Sequence, residues 1–320
     1  MRGNIFRLHF IRIAFGPMMG TLLKQKYAMT MLVLQIALTL AVISNGIFIV
    51  CQRLEILQRP SGIDEPNIFV LTSSGFAENF NPQTSIQTDL AELRQMPNII
   101  NAVATYSFPY SGSSDWDELQ TVAGNDQHSV PAASYKLDEH GIEALGLSLI
   151  AGENFSPSEV LWQTESNRTF PSVVIITSRL ARDLFNTRDL SSILGKTIVI
   201  NSAHNAVVKG IVNRLQAPWD PVGKIENSII YPRVVTRNSA RYLIRTKATL
   251  LHNTIVDTER YLAMSNQQRM IRKVQSIETI KKHIYGPDMA AITILLVVIT
   301  ALTIISAMGI AGMASFNVIK

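Results

Sequence analysis

The sequence predicts an α+β membrane protein: two transmembrane helices flanking an extracytoplasmic α+β domain. Three observations predict it. Tyr27–Gln52 holds no Asp, Glu, Lys, Arg or His. Met289–Ile319 is also uncharged and rich in Ile, Leu, Val and Ala. Between them a strand–helix–strand pattern occurs twice, on either side of a stretch of different texture.

A helix of about 20 apolar residues crosses a hydrocarbon core of about 30 Å, so either run is long enough. The first run exceeds the roughly 7–15 apolar residues of a signal peptide, and no small-x-small site precedes Arg53. It reads as an uncleaved anchor. The leader before it carries Arg2, Arg7, Arg12, Lys24 and Lys26 and no acid, whereas Arg53 and Arg59 beyond it are offset by Glu55, Asp64 and Glu65. Positive charge stays on the cytoplasmic side, so the N-terminus is expected in the cytoplasm and two spans return Lys320 there. Lys281 and Lys282, just before the second span, argue the other way, but the first helix usually dominates. Met1–Phe15 has the apolar bulk and the Arg2/His9/Arg12 arc of an imperfect interfacial helix.

The expected domains are therefore a leader over 1–26, a span over 27–52, an outer domain over 53–287 and a second span over 288–319. Polar and small residues inside the spans are few. Gln35, Thr39 and Gly46 share a face of the first, and Ala307, Ala311 and Ser315 form a small-xxx-small ladder in the second. Both faces are expected to pack helices. Neither span holds a charge, so neither offers a proton relay.

In the outer domain, Pro66–Ser73 reads as a strand. Thr84–Gln95 reads as a helix, with Ile86, Leu90 and Leu93 on one face and Pro97 beyond its end. Ile99–Phe108 reads as a second strand, and Ser111–Ser114 marks a boundary. A short helix begins at Asp138–Ala144. Val173–Ile176, Gly195–Ile200 and Val207–Val212 read as strands and Arg179–Phe185 as a helix. The first texture then returns, with strands at Tyr242–Arg245 and Met270–Val274 and helices at Leu250–Met264 and Ser276–Tyr285, the last running into the second span. The outer domain is thus expected to be a discontinuous β-α-β/β-α-β subdomain, formed by 53–112 and 228–287, with 113–227 inserted as a second subdomain.

The middle segment is the specific one. "ALGLSLIAGENFSPSE" (Ala144–Glu159), "VVIITSRLARDLF" (Val173–Phe185), "ILGKTIVI" (Ile193–Ile200), "VVKGIV" (Val207–Val212) and "SIIYPRV" (Ser228–Val234) follow one another in order and spacing. This block resembles the periplasmic core domain of the MacB/FtsX-like family of ABC transporter permeases. Glu153-Asn154 stands where that family usually has an Arg, and Lys209 precedes the Gly of "KGIV". The resemblance implies porter-like half domains and a bacterial inner-membrane location with the large domain periplasmic. It also implies a cytoplasmic ABC ATPase partner, a homodimer or a heterodimer with another permease, and a periplasmic adaptor. Arg53, Glu55, Lys281, Gly286 and Pro287 then fall on the stalks that would carry motion between the spans and the domain. Family permeases have four spans, so the expectation is a chain lacking the last two. The alternative reading is a two-span sensor.

Composition excludes several other classes. The net charge is +5, but the basic residues are scattered, so nucleic acid is not an expected partner. Hydrophobic residues make up 47% and the mean hydropathy is +0.18. One cysteine, Cys51, cannot form an intrachain disulfide. Gly195-Lys196-Thr197 lacks the P-loop's earlier glycine, since position 190 is Leu190. No H-E-x-x-H, C-x-x-C or G-x-S-x-G occurs, so no metal, cofactor or catalytic residue is expected, and ATP hydrolysis would belong to a partner. Asp138-Glu139-His140 reads as a solvated helix face rather than a metal cluster, and Trp116, Trp162 and Trp219 as local packing or partner contacts.

Overall fold

The computed structural model describes residues 26–112, 114–122, 129–164, 169–220 and 222–318. The leader, with its expected interfacial helix, lies outside the described residues except for Lys26. The chain divides into two compact units. One holds the long apolar helices, and the other is Pro60–Ile284.

In the helical unit, α1 runs over Lys26–Gln58. Its partner belongs to the last helix of the chain, Ile277–Val318. The spans Thr30–Gln58 and Ile277–Gly312 have mean hydropathies of 2.2 and 2.6. Their apolar side chains are mostly exposed, among them Leu34, Leu38, Phe48, Ile294 and Val297. Such surfaces suit lipid rather than water.

Unit Pro60–Ile284 contains two sheets. Strand β1 (Ile68–Gly75), helix α2 (Pro82–Leu93) and strand β2 (Ile99–Ala104) open it. Asn81 accepts the Thr84 N–H at 3.1 Å, so α2 starts at Pro82, where a missing N–H is harmless. The middle of the chain adds β3 (Asp115–Gln120), β4 (Val130–Leu137), α3 (Gly141–Leu145), β5 (Leu149–Gly152) and β6 (Leu161–Gln163). It continues with β7 (Val173–Thr177), α4 (Ser178–Phe185), β8 (Thr197–Ile200), β9 (His204–Val212) and β10 (Ser228–Val235). Then come β11 (Ser239–Thr246), α5 (Leu251–Ser265), β12 (Arg269–Ser276) and the long helix α6 (Ile277–Val318).

The smaller sheet has the order β12-β1-β11-β2, and every neighbouring pair is antiparallel. Two strand–helix–strand units interleave in it, the split βαβ arrangement. Phe69, Leu71, Ala102, Ala104, Tyr242 and Ile244 point to the face covered by α2 and α5, where Ile86, Leu90, Leu93 and Leu262 complete the core.

The larger sheet closes on itself. Its path is β4-β3-β8-β9-β7-β10, and β10 pairs with β4 again. Six strands form a ring around Val174, Ile176, Ile198, Ile200, Val208, Ile211 and Ile229, and Leu180, Ala181 and Leu184 of α4 join that core. Closure leaves few bare edges. β10 changes partner at a proline: Ser228–Pro232 pairs with β4 and Arg233–Val235 with β6.

Two expectations need correction. Ser228–Val235 belongs to the larger sheet, so the boundary drawn at residue 228 falls too early; the smaller sheet resumes at Ser239. Sequence reading also left out β3 through β6. β3, "DWDELQ", is largely polar and buries only Leu119 and Gln120, so it carries no strand pattern. Ser276–Tyr285 does run on into the second span, as one helix through Gly286 and Pro287. Pro287 merely withholds its N–H from the His283 carbonyl.

Gly62 lies between α1 and β1 at φ +90, and a Cβ there would sit 2.2 Å from the Arg214 carbonyl oxygen. Gly62→Ala will therefore lose about 1–2 kcal/mol to the left-handed backbone alone. The clash adds to that, and a urea melt of the full chain will show the loss.

Candidate functional site: the root of the globular unit

The sequence-selected residues fall into two groups. The first lies in the helical unit. Ser306 Oγ donates to Thr39 Oγ1 at 3.0 Å. A Cβ on Gly46 would meet Ile299 Cδ1 at 3.0 Å, and one on Gly309 would meet the Gln35 amide at 3.1 Å. Gln35, Thr39 and Gly46 therefore face α6, and the glycines let the two helices approach. The opposing face of α6 is Ile299, Ser306 and Gly309. Ala307, Ala311 and Ser315 are instead exposed, so the small-residue ladder is not the contact between these helices. Arg53 forms an ion pair with Asp288, next to Pro287. Glu55 is exposed, as are Gly286 and Pro287.

The second group lies in the globular unit, and Lys281 is its one sequence-selected member. Lys281 Nζ donates to Glu65 Oε2 at 2.8 Å and lies 5.4 Å from the centre of the Tyr110 ring. Tyr110 Oη donates to Glu65 Oε1 at 2.6 Å, and Ser61 Oγ donates to the same oxygen. One carboxylate thus gathers three segments: the chain entering the unit (Ser61, Glu65), the junction after β2 (Tyr110) and the first turns of α6 (Lys281). Tyr110 is 2% exposed and has φ 71. A non-glycine residue there costs about 1–2 kcal/mol, so the surrounding contacts hold it in place.

Burial pushes the Glu65 carboxyl up, but the Lys281, Ser61 and Tyr110 hydrogen bonds outweigh it and hold Glu65 below the usual range. The sign follows. A carboxyl with a depressed folded pKa stabilises the fold above its unfolded value and loses that contribution as pH falls through the folded one. Glu65→Gln will therefore flatten the stability curve below about pH 4.5. Denaturant melts of the variant and the parent at pH 7 and pH 4 test this.

A second junction ties the two sheets together. Arg245 Nε donates to Asp64 at 2.7 Å and Arg245 Nη1 to the Glu143 carbonyl at 3.1 Å. The Asp64 N–H donates to the Leu145 carbonyl at 3.0 Å. Asn101 donates to Glu143 at 2.7 Å, and Arg94 to Asp138 at 2.5 Å. Asp64 is one residue from Glu65, so the root and the sheet junction are contiguous. Asp138 is consequently buried in an ion pair rather than solvated. Among the described residues no cluster of His, Cys, Asp and Glu is arranged to hold a metal. Gly195-Lys196 lies in a turn before β8, with Gly195 at φ 77.

Sequence reading missed Ser61 and Tyr110, and it used Glu65 only as a charge for orientation. Their partners lie as far as 216 positions away in the chain, and no local spacing records that.

Two lipid-compatible helices, with a split βαβ sheet and a closed six-strand sheet between them, define a membrane-anchored, two-part α+β module. A family model described as the MacB-like periplasmic core domain matches residues 28–268. The chain belongs to this family, whose domain is that of ABC-type transporter permeases. Among solved structures, the periplasmic region of MacB from Actinobacillus actinomycetemcomitans is similar at 17% identity and TM-score 0.43, covering 72% of this chain and 97% of that one. The extracellular domain of a noncanonic ABC-type transporter, YknZ, from Gram-positive bacteria is similar at 13% identity and TM-score 0.38, covering 64% and 100%. A domain of a putative permease from Porphyromonas gingivalis matches at 14% identity and TM-score 0.36, covering 66% and 91%. A search of curated proteins finds no match.

Proposed function

We propose that this chain is a permease subunit of an ABC transporter in the bacterial inner membrane, with its N-terminus cytoplasmic and its globular unit periplasmic. It passes ATP-driven motion of a cytoplasmic ATPase to the globular unit, which handles cargo for export or extraction. The chain itself does not hydrolyse ATP. It works as a homodimer or with a second permease, and a periplasmic adaptor extends the path.

The observation that carries this reading is the Glu65 cluster. Ser61 and Glu65 lie just past α1, and Lys281 lies on the helix that continues into the second span. Glu65 thus ties the segment that follows α1 to the helix that leads into the second span. The helical connection through α6 suits this work, because a flexible linker would absorb the displacement.

The test is affinity isolation of the full chain from its own membranes in mild detergent. An ATPase with a Walker motif should be retained. Retention of a kinase or response regulator instead, or of no ATPase, would overturn the proposal.

A further inference from the structure

The smaller sheet has a second face, opposite α2 and α5, and it is only half covered. At one end Ile68, Val103 and Leu243 are fully buried, and α3 with Gly146 lies against Arg245. At the other end the sheet is open. There Thr72 pairs with Arg241 on one side and with Lys273 on the other. Strands lie about 4.8 Å apart, so the backbone positions of the two basic residues stand roughly 10 Å from each other across a threonine. Among the described residues neither forms a salt bridge, and neither does His283.

These residues line a groove of about 360 Å³. Its walls are Phe108, Ile280 and Ile284, and His283 stands beside them. The size falls within the usual range of small-molecule sites, about 300–1,000 Å³. The lining joins two kinds of surface. Two cationic groups, Arg241 and Lys273, share the groove with the His283 ring, and no carboxylate lines it. Apolar walls beside them favour a hydrocarbon body. An anion alone leaves the walls wet, and an apolar molecule alone leaves the cations unneutralised.

We propose that this groove binds a small amphipathic anion, with a phosphate or carboxylate group between Arg241 and Lys273 and hydrocarbon against Phe108, Ile280 and Ile284. A bilayer lipid and a soluble amphiphile both supply this chemistry. Binding here needs no ATPase, so the inference stands or falls apart from the transport reading.

Lys273 is exposed, so its acetylation by an amine-selective reagent reports occupancy. The full chain is placed in phosphatidylcholine nanodiscs and labelled with octyl phosphate, octyl glucoside or inorganic phosphate present. A further sample uses discs containing phosphatidylglycerol. Octyl phosphate at ten times its Kd should cut Lys273 labelling about tenfold and leave Lys136 and Lys247 unchanged. Protection in phosphatidylglycerol discs without added probe assigns the anion to the bilayer. Protection by octyl phosphate alone assigns it to a soluble amphiphile. Arg241→Gln should abolish most of the protection. His283→Gln, at an exposed position, should weaken it should the first variant misfold. Equal protection by octyl glucoside, protection by inorganic phosphate alone, no protection at all, or protection unchanged in the folded variants would overturn the proposal.

Discussion

Arg269→Leu will destabilise the globular unit by about 3–5 kcal/mol, because it strands a buried carboxylate. The Arg269 side chain is 0% exposed and that of Asp89 is 4% exposed. Their ion pair lies between α2 and β12. Tyr242 Oη adds a hydrogen bond to Asp89 at 2.6 Å, and Arg269 Nη2 reaches the Leu262 carbonyl at 3.0 Å and Ser265 Oγ at 2.8 Å. For a unit of this size the expected fall in melting temperature is roughly 6–20 °C.

The pH dependence separates this mechanism from a simple loss of packing. Burial pushes the Asp89 carboxyl above its ordinary range even with Tyr242 and Arg269 beside it. A carboxyl whose folded pKa is raised favours the fold at low pH and weighs against it as pH rises through the folded value. Removing Arg269 removes an opposing cation and raises that pKa further. The deficit of Arg269→Leu should therefore be largest at neutral pH and shrink toward pH 5. The double variant Asp89→Leu/Arg269→Leu removes both charges and should recover most of the stability. A single-variant deficit independent of pH, with no recovery in the double variant, would show that shape rather than charge governs the site.

The elements with strong apolar periodicity were legible in the sequence. The residues that set α2, Ile86, Leu90 and Leu93, are 2%, 2% and 0% exposed. The two spans were equally plain, since an uncharged apolar run of that length rarely forms outside a bilayer. What escaped was long-range or locally weak. β3 is polar because its partners, β4 and β8, supply the ladder that holds it. β10 contains Pro232, which argues against a central strand. The structure accommodates it by letting β4 end and β6 begin there. The root cluster joins three segments distant in sequence, and only the fold brings Ser61, Tyr110 and Lys281 to one carboxylate. The span faces were half legible. Gln35, Thr39 and Gly46 pick out one side of α1. Several faces of α6 carry small residues, and spacing alone does not say which one meets α1.

The root cluster also carries the most direct prediction about coupling. Lys281→Met keeps the length and apolar stem of the side chain and removes its charge. Glu65 then retains only neutral donors, Ser61 and Tyr110. A hydrogen bond to a charged group is worth about 1.5–3 kcal/mol. Local opening around Glu65 should therefore become roughly 10- to 150-fold more frequent. Hydrogen exchange reads this at the Asp64 and Asn67 amides, which are bonded to the Leu145 and Asp64 carbonyls. The Val174 and Ile176 amides, in the core of the larger sheet, should not change. With the ATPase bound, ATP should alter exchange along β1 in the parent and much less in Lys281→Met. The exchanged pair Glu65→Lys/Lys281→Glu restores opposite charges and should return part of the response. If the amides open faster but the ATP response persists, the cluster holds the fold together without carrying the motion. Coupling would then have to enter the globular unit through another contact.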